Sequence, residues 1–139
     1  LLPDDISIKE ELLGKALPVL KIHGSYENPD TIVLNKAKFR ELLFNKPKYN
    51  ETLKKYFIEN TVLFYGYSFK DPDIDFILQE IMADKRGVTR KHYAVLPNVG
   101  EIEAEYLLKE YNIQVISYST GCYGHLPARG FLESILRTL

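Results

Sequence analysis

The 139-residue sequence holds a single cysteine, Cys122, a single methionine and no tryptophan. One cysteine excludes an internal disulfide and a cysteine-rich zinc site, and it suits a reducing, cytoplasmic setting. No apolar run approaches the roughly 20 residues of a membrane-spanning helix. The opening stretch, LLPDDISIKEELLGKALPVL, is interrupted by charge and does not read as a secretory signal. Neither sign of charge is in excess: 18 Lys and Arg stand against 19 Asp and Glu, a formal net charge of −1. That balance gives no basic footprint for nucleic acid and no pull toward an anionic membrane. Repeats and low-complexity segments are also absent.

What is present suits one α/β or α+β domain. Apolar residues make up 45% of the chain, enough for a core and too many for disorder. PVLKI (18–22) and TIVLN (31–35) read as short strands on either side of a turn-rich YENPD, and residues 36–45 and 49–60 read as helices. In the second helix Tyr49, Leu53, Tyr56 and Phe57 fall at helical spacing, and Asn60 stands where the helix should close. TVLFYG (61–66) is rich in β-branched and aromatic residues, as a buried strand is. Ile74, Ile77, Leu78 and Ile81 then form one helical face. KHYAVLP (91–97) and IQVISYS (113–119) are strands. Between them a helix over 101–111 carries Ile102, Tyr106 and Leu107, and a last helix carries Leu126, Phe131, Ile135 and Leu136. From residue 61 onward the order is β-α-β-α-β-α, which predicts a parallel sheet covered by helices. The chain begins with Leu, which leads us to expect a piece of something longer.

Two turns carry the chemistry. In VLFYGYSFKDPDIDFILQEI (62–81) a strand stops at Gly66-Tyr67-Ser68, and Asp71, Asp73 and Asp75 follow. Asp71 stands at an N-cap position with Pro72 first in the helix. Asp73 and Asp75 suit the positive helix end, worth a few tenths to about 1 kcal/mol each, so helix electrostatics alone accounts for them as well as function does. In open parallel sheets ligands sit at the carboxyl ends of strands. Gly66 permits close backbone approach there, and Ser68 offers a hydroxyl. The negative charge disfavours a phosphate at this helix and favours a ribose. The second turn is KIHGS (21–25). His23 ends a strand and precedes glycine and serine. A histidine so placed is either a hydrogen-bonded structural residue or a proton shuttle.

KIHGS, the turn in FYGYSFKDPDIDFIL, HYAVLPN and the closing strand-helix, taken in order over residues 18–139, resemble the carboxyl-terminal half of sirtuin-like domains, the silent-information-regulator type. The closer likeness is to the bacterial zinc-free NAD-hydrolase branch, whose members are fused to other modules in antiphage defence. The resemblance implies a three-layer Rossmann-like parallel sheet flanked by helices, incomplete because the amino-terminal half of the nucleotide-binding domain is missing. It leaves residues 1–17 as a leading segment without assignment. It also implies NAD as substrate, no metal, and hydrolysis to nicotinamide and ADP-ribose in an intact parent, with this chain alone inactive. Carried over by motif, His23 is the catalytic histidine. Gly24 and Ser25 beside it, and Gly66, Tyr67, Ser68 and Asp71 at the second turn, contact the dinucleotide. Asn98 matches a family asparagine near the adenosine, and Cys122 falls near the adenine side.

Two departures bear on this. The zinc cysteines of protein-deacylating sirtuins are absent from residues 26–65, where a helical segment stands instead. The family's glycine-rich phosphate loop and threonine-asparagine motif, normally upstream of the histidine, are absent too. Expected partners are therefore NAD and the missing half of the domain or fused modules, with room for a homo-oligomer. A non-enzymatic nucleotide-sensing module, or an assembly module with a tyrosine-rich surface, is the alternative; the chain has ten tyrosines, of which those at 49, 56 and 65 also suit an ordinary core. A protein deacylase comes behind it. The nucleotide reading requires His23 and Ser68 to open onto one cleft.

Overall fold

The computed structural model describes residues 23, 26–27, 29–45, 47–70, 72–83 and 90–138. The chain divides into two compact units, Leu1–Tyr56 and Phe57–Leu139.

In the first unit a 3-10 turn, Pro29–Thr31, leads into helix α1, Lys36–Asn45, and then α2, Pro47–Glu59, within which the division falls. Asn35 caps α1: its Oδ1 accepts from the Lys38 N–H at 2.9 Å, meeting one of the donors that a helix start leaves unpaired. Phe39, fully buried, Leu53 and Val33 anchor the apolar side. Both helices stand where the spacing predicts, with α2 starting two residues early and ending just before Asn60. The predicted strand TIVLN does not form. Residues 32–34 carry no regular secondary structure, and the Val33 N–H donates to the His23 carbonyl at 3.1 Å. The predicted strand PVLKI lies outside the described residues.

In the second unit the elements are β1 (Leu63–Tyr65), α3 (Pro72–Ala83), β2 (His92–Pro97), α4 (Glu101–Tyr111), β3 (Ile113–Tyr118) and α5 (Leu126–Leu136). The strands form one parallel sheet in the order β1-β2-β3, with Phe64 opposite Ala94 and Ala94 opposite Val115. This is the α/β, Rossmann-like parallel sheet flanked by helices expected from the alternation. Phe64, Ala94, Leu96 and Ile113 pack with Leu78 of α3 and Leu107 and Tyr111 of α4 into one core. Burial of each such side chain contributes about 1.5–3 kcal/mol.

Strand alternation sends Tyr65, Val95, Pro97 and Tyr118 to the opposite face. There Ala128 of α5 is buried. β1 is not the buried strand its composition suggests, because only Phe64 is inside while Leu63 and Tyr65 are exposed. The α3 face is as predicted, with Ile77, Leu78 and Ile81 buried. The α4 face is rotated from the predicted one: Ile102 (87% exposed) and Tyr106 (54%) look outward, and Leu107 and Tyr111 look inward.

Helix α4 is complemented at both ends, with Glu101 and Glu103 in its first turn and Lys109 in its last. It closes on Asn112 in the left-handed conformation, and the Asn112 Nδ2 donates to the Arg90 carbonyl at 2.9 Å. No helix among the described residues is long and apolar enough to cross a membrane.

Candidate functional site

Each strand of the second unit ends at one cleft. Tyr65, Pro97 and Tyr118 are the last residues of β1, β2 and β3, and all three line it. With Gly66, Tyr67, Ser68, Val95, His125 and Ala128 they enclose about 350 Å³. This is the position that the connectivity of open parallel sheets makes available to ligands, since the loops leaving the strand ends stand apart there.

The turn after β1 is built by its own aromatic residues. Gly66 has φ +68°, a conformation that costs a side-chain-bearing residue about 1 kcal/mol or more. That turn sets Tyr67 and Phe69 against Phe64, with ring centroids 5.9 and 4.9 Å away, so the loop is pinned to the core. Ser68 is left exposed on the cleft side. Among the described residues the lining carries no lysine, arginine, aspartate or glutamate. It consists of aromatic and apolar surface with the hydroxyls of Ser68 and three tyrosines and one imidazole, which suits a planar, uncharged heterocycle better than a phosphate.

Asn98 directly follows Pro97 at the end of β2. It has φ +54°, and its N–H donates to the Tyr118 carbonyl at 2.8 Å. Its side chain is engaged twice with one residue: Nδ2 donates to the Thr120 Oγ1 at 2.9 Å, and Oδ1 accepts from the Thr120 N–H at 3.1 Å. The asparagine thus staples the turn after β2 to the loop after β3. In that loop Cys122 is exposed, and His125 faces Tyr118, with Nδ1 and Oη 2.7 Å apart.

The remaining sequence-derived candidates fall elsewhere. His23 belongs to the first unit, Ser68 to the second. Within its unit His23 is exposed, with its ring edge-on to Phe39 at 5.5 Å. Gly24, Ser25 and Asp71 lie outside the described residues. Asp75 serves the packing of the helices, as its two carboxylate oxygens accept from the Tyr111 hydroxyl at 2.7 Å and the Gln79 amide at 2.8 Å.

The sequence reading missed Tyr65, Val95, Pro97, Tyr118, His125 and Ala128. The strand-end rule was enough to mark Tyr65, Pro97 and Tyr118. Nothing local marks His125, seven residues beyond β3.

A family model described as a SIR2-like domain matches residues 3–116. The NAD(+) hydrolase ThsA of Cytobacillus dafuensis is 31% identical over 121 residues, which are 84% of this chain and 24% of that protein. The NAD(+) hydrolase ThsA of Bacillus cereus (strain MSX-D12) is 28% identical over 107 residues, 73% of this chain and 22% of the relative. The protein of the same name from Acinetobacter baumannii (strain 532279) is 28% identical over 90 residues, 65% of this chain and 19% of the relative. The chain therefore spans about a quarter or less of the length of these relatives.

Proposed function

Because this chain belongs to the SIR2-like domain family, we propose that its cleft receives the adenosine half of NAD and that the protein carrying it hydrolyses NAD to nicotinamide and ADP-ribose. The observation that carries this reading is the convergence of three parallel strand ends on a tyrosine-lined cleft, without lysine, arginine, aspartate or glutamate among its described lining residues, beside the Gly66–Ser68 turn. The names of the relatives, all NAD(+) hydrolases, support the same substrate. A volume of about 350 Å³ lies at the small end of ligand pockets, which run from roughly 300 to 1,000 Å³. It has room for a nucleoside and not for a whole dinucleotide.

The chemistry asks little acid help. The nicotinamide ring, cationic while bonded to the ribose, leaves as a neutral molecule when that bond breaks, and the ribosyl cation left behind resembles the oxocarbenium species of glycoside hydrolysis. The protein's work is to hold the dinucleotide in a reactive pose and to admit one water. In this reading Tyr67 and Ser68 hold the adenosine side. His23 accepts a proton from a ribose hydroxyl or the attacking water, help worth about 10²–10⁴-fold in rate. Gly24, Ser25 and Asp71 complete the proposed set of contacts. Asn98 serves by holding the two loops together rather than by spending its amide on the ligand. We assign the resulting NAD loss to bacterial antiphage defence and a cytoplasmic setting on the strength of the sequence resemblance.

In the protein that carries this chain, His23→Ala is expected to abolish NAD consumption, followed as nicotinamide release, while leaving NAD binding within a few-fold. Turnover unchanged by the substitution would remove His23 from the chemistry. NAD binding with no turnover in the unsubstituted protein would favour the nucleotide-sensing reading instead.

A further inference from the structure

His125 occupies the N-cap position of α5 but makes no side-chain capping bond there. Serine, threonine, aspartate or asparagine serve that position better, so helix stability does not account for the imidazole. Its Nδ1 instead meets the Tyr118 hydroxyl at 2.7 Å, with the rings edge-on at a centroid distance of 6.0 Å. The pair is exposed, where a neutral hydrogen bond adds little to stability because water competes for both partners. Both residues line the cleft, and the loop that bears His125 is held in place by the Asn98–Thr120 staple. Both also lie beyond residues 3–116, the span of the family match.

We propose that Tyr118 and His125 form a recognition dyad that fixes the polarity of the cleft toward its ligand. The proposal rests on the reading of the cleft as a nucleoside site. In the proposed tautomer, the phenolic hydroxyl donates to Nδ1 and Nε2 carries the proton. The dyad therefore presents a hydrogen-bond donor, and it selects a ligand that offers an acceptor, such as a ring nitrogen of a purine or a ribose oxygen. Tyr118 acts twice, as an aromatic wall and as the group that sets the tautomer. His125 makes the polar contact.

The test uses this chain, titrated with AMP, ADP-ribose and NAD and followed by NMR of the His125 and Tyr118 rings. His125→Ala is expected to weaken AMP binding about 3- to 10-fold, the net worth of one hydrogen bond. Tyr118→Phe, which keeps the ring and removes the hydroxyl, is expected to weaken binding and to mix the two tautomers of His125 in its ¹⁵N spectrum. His125→Gln, which retains an N–H donor near the position of Nε2, is expected to recover most of the loss. If the unsubstituted chain binds and the Ala and Phe variants bind within twofold of it, the dyad is a loop brace and the proposal falls while the nucleotide site stands. Equal losses in His125→Gln and His125→Ala also overturn it. If the unsubstituted chain binds none of the three ligands, the nucleoside reading and the dyad fall together.

Discussion

Three histidines in this chain meet three different environments. His23 is exposed beside Phe39, and His125 stands on the rim of the cleft. His92 opens β2 and is buried, its Nδ1 accepting from the Val62 N–H at 3.1 Å and its ring edge-on to Phe57 at 6.2 Å. Burial pushes the His92 pKa below the ordinary histidine value, because the interior disfavours the imidazolium. The unfolded chain, with an ordinary imidazole near pH 6.5, therefore takes up this proton more readily than the native state. The stability contribution of the neutral ring is complete above that pH and is lost as pH falls through the lowered native value. We expect the thermal midpoint to drop on acidification from about pH 7.5 to 5.5. His92→Leu should flatten that slope while costing about 1–3 kcal/mol overall, since the Val62 N–H loses its acceptor. A denaturation series across that range decides it, and an unchanged slope in the variant would assign the effect to other groups.

At the scale of elements, α3 and α4 are joined by one bond that the sequence does not advertise. Asp75 reads as one of three carboxylates at a helix start. In the structure it takes the Tyr111 hydroxyl from the far end of α4. The Tyr111 pKa is raised above the ordinary tyrosine range, by burial first and then by hydrogen bonding and the Asp75 charge. Tyr111→Phe removes the donor, keeps the ring in the core, and leaves the carboxylate its Gln79 partner. A loss of about 1–2 kcal/mol is expected in urea denaturation, and a loss near zero would show that water replaces the phenol at no cost. Most elements were legible because helices and strands impose different periods on apolar residues. Leu78 and Ile81 show it in α3, and the outward Ile102 and Tyr106 show its limit in α4. Which apolar residues of a helix turn inward depends on where the sheet lies.

For the whole molecule, the cleft offers a nucleoside-sized space with no cation among the described residues of its lining, so on the proposed reading a bound NAD would draw no counter-charge for its diphosphate from them. Calorimetry on this chain alone should show NAD binding weaker than micromolar and no measurable nicotinamide release. Micromolar affinity would mean that the residues present suffice. The β-α-β-α-β-α order from residue 61, the parallel sheet and the Gly66–Ser68 turn followed from the sequence alone, since backbone periodicity and turn chemistry act over a few residues. The cleft itself depended on tertiary structure. Tyr65, Pro97 and Tyr118 are far apart in sequence and adjacent only because their strands are paired in parallel register. His125 reaches that rim only because the loop after β3 folds back under the hold of Asn98. Short-range preferences act between neighbours in the chain, whereas a binding surface is set by which distant residues the packing brings together.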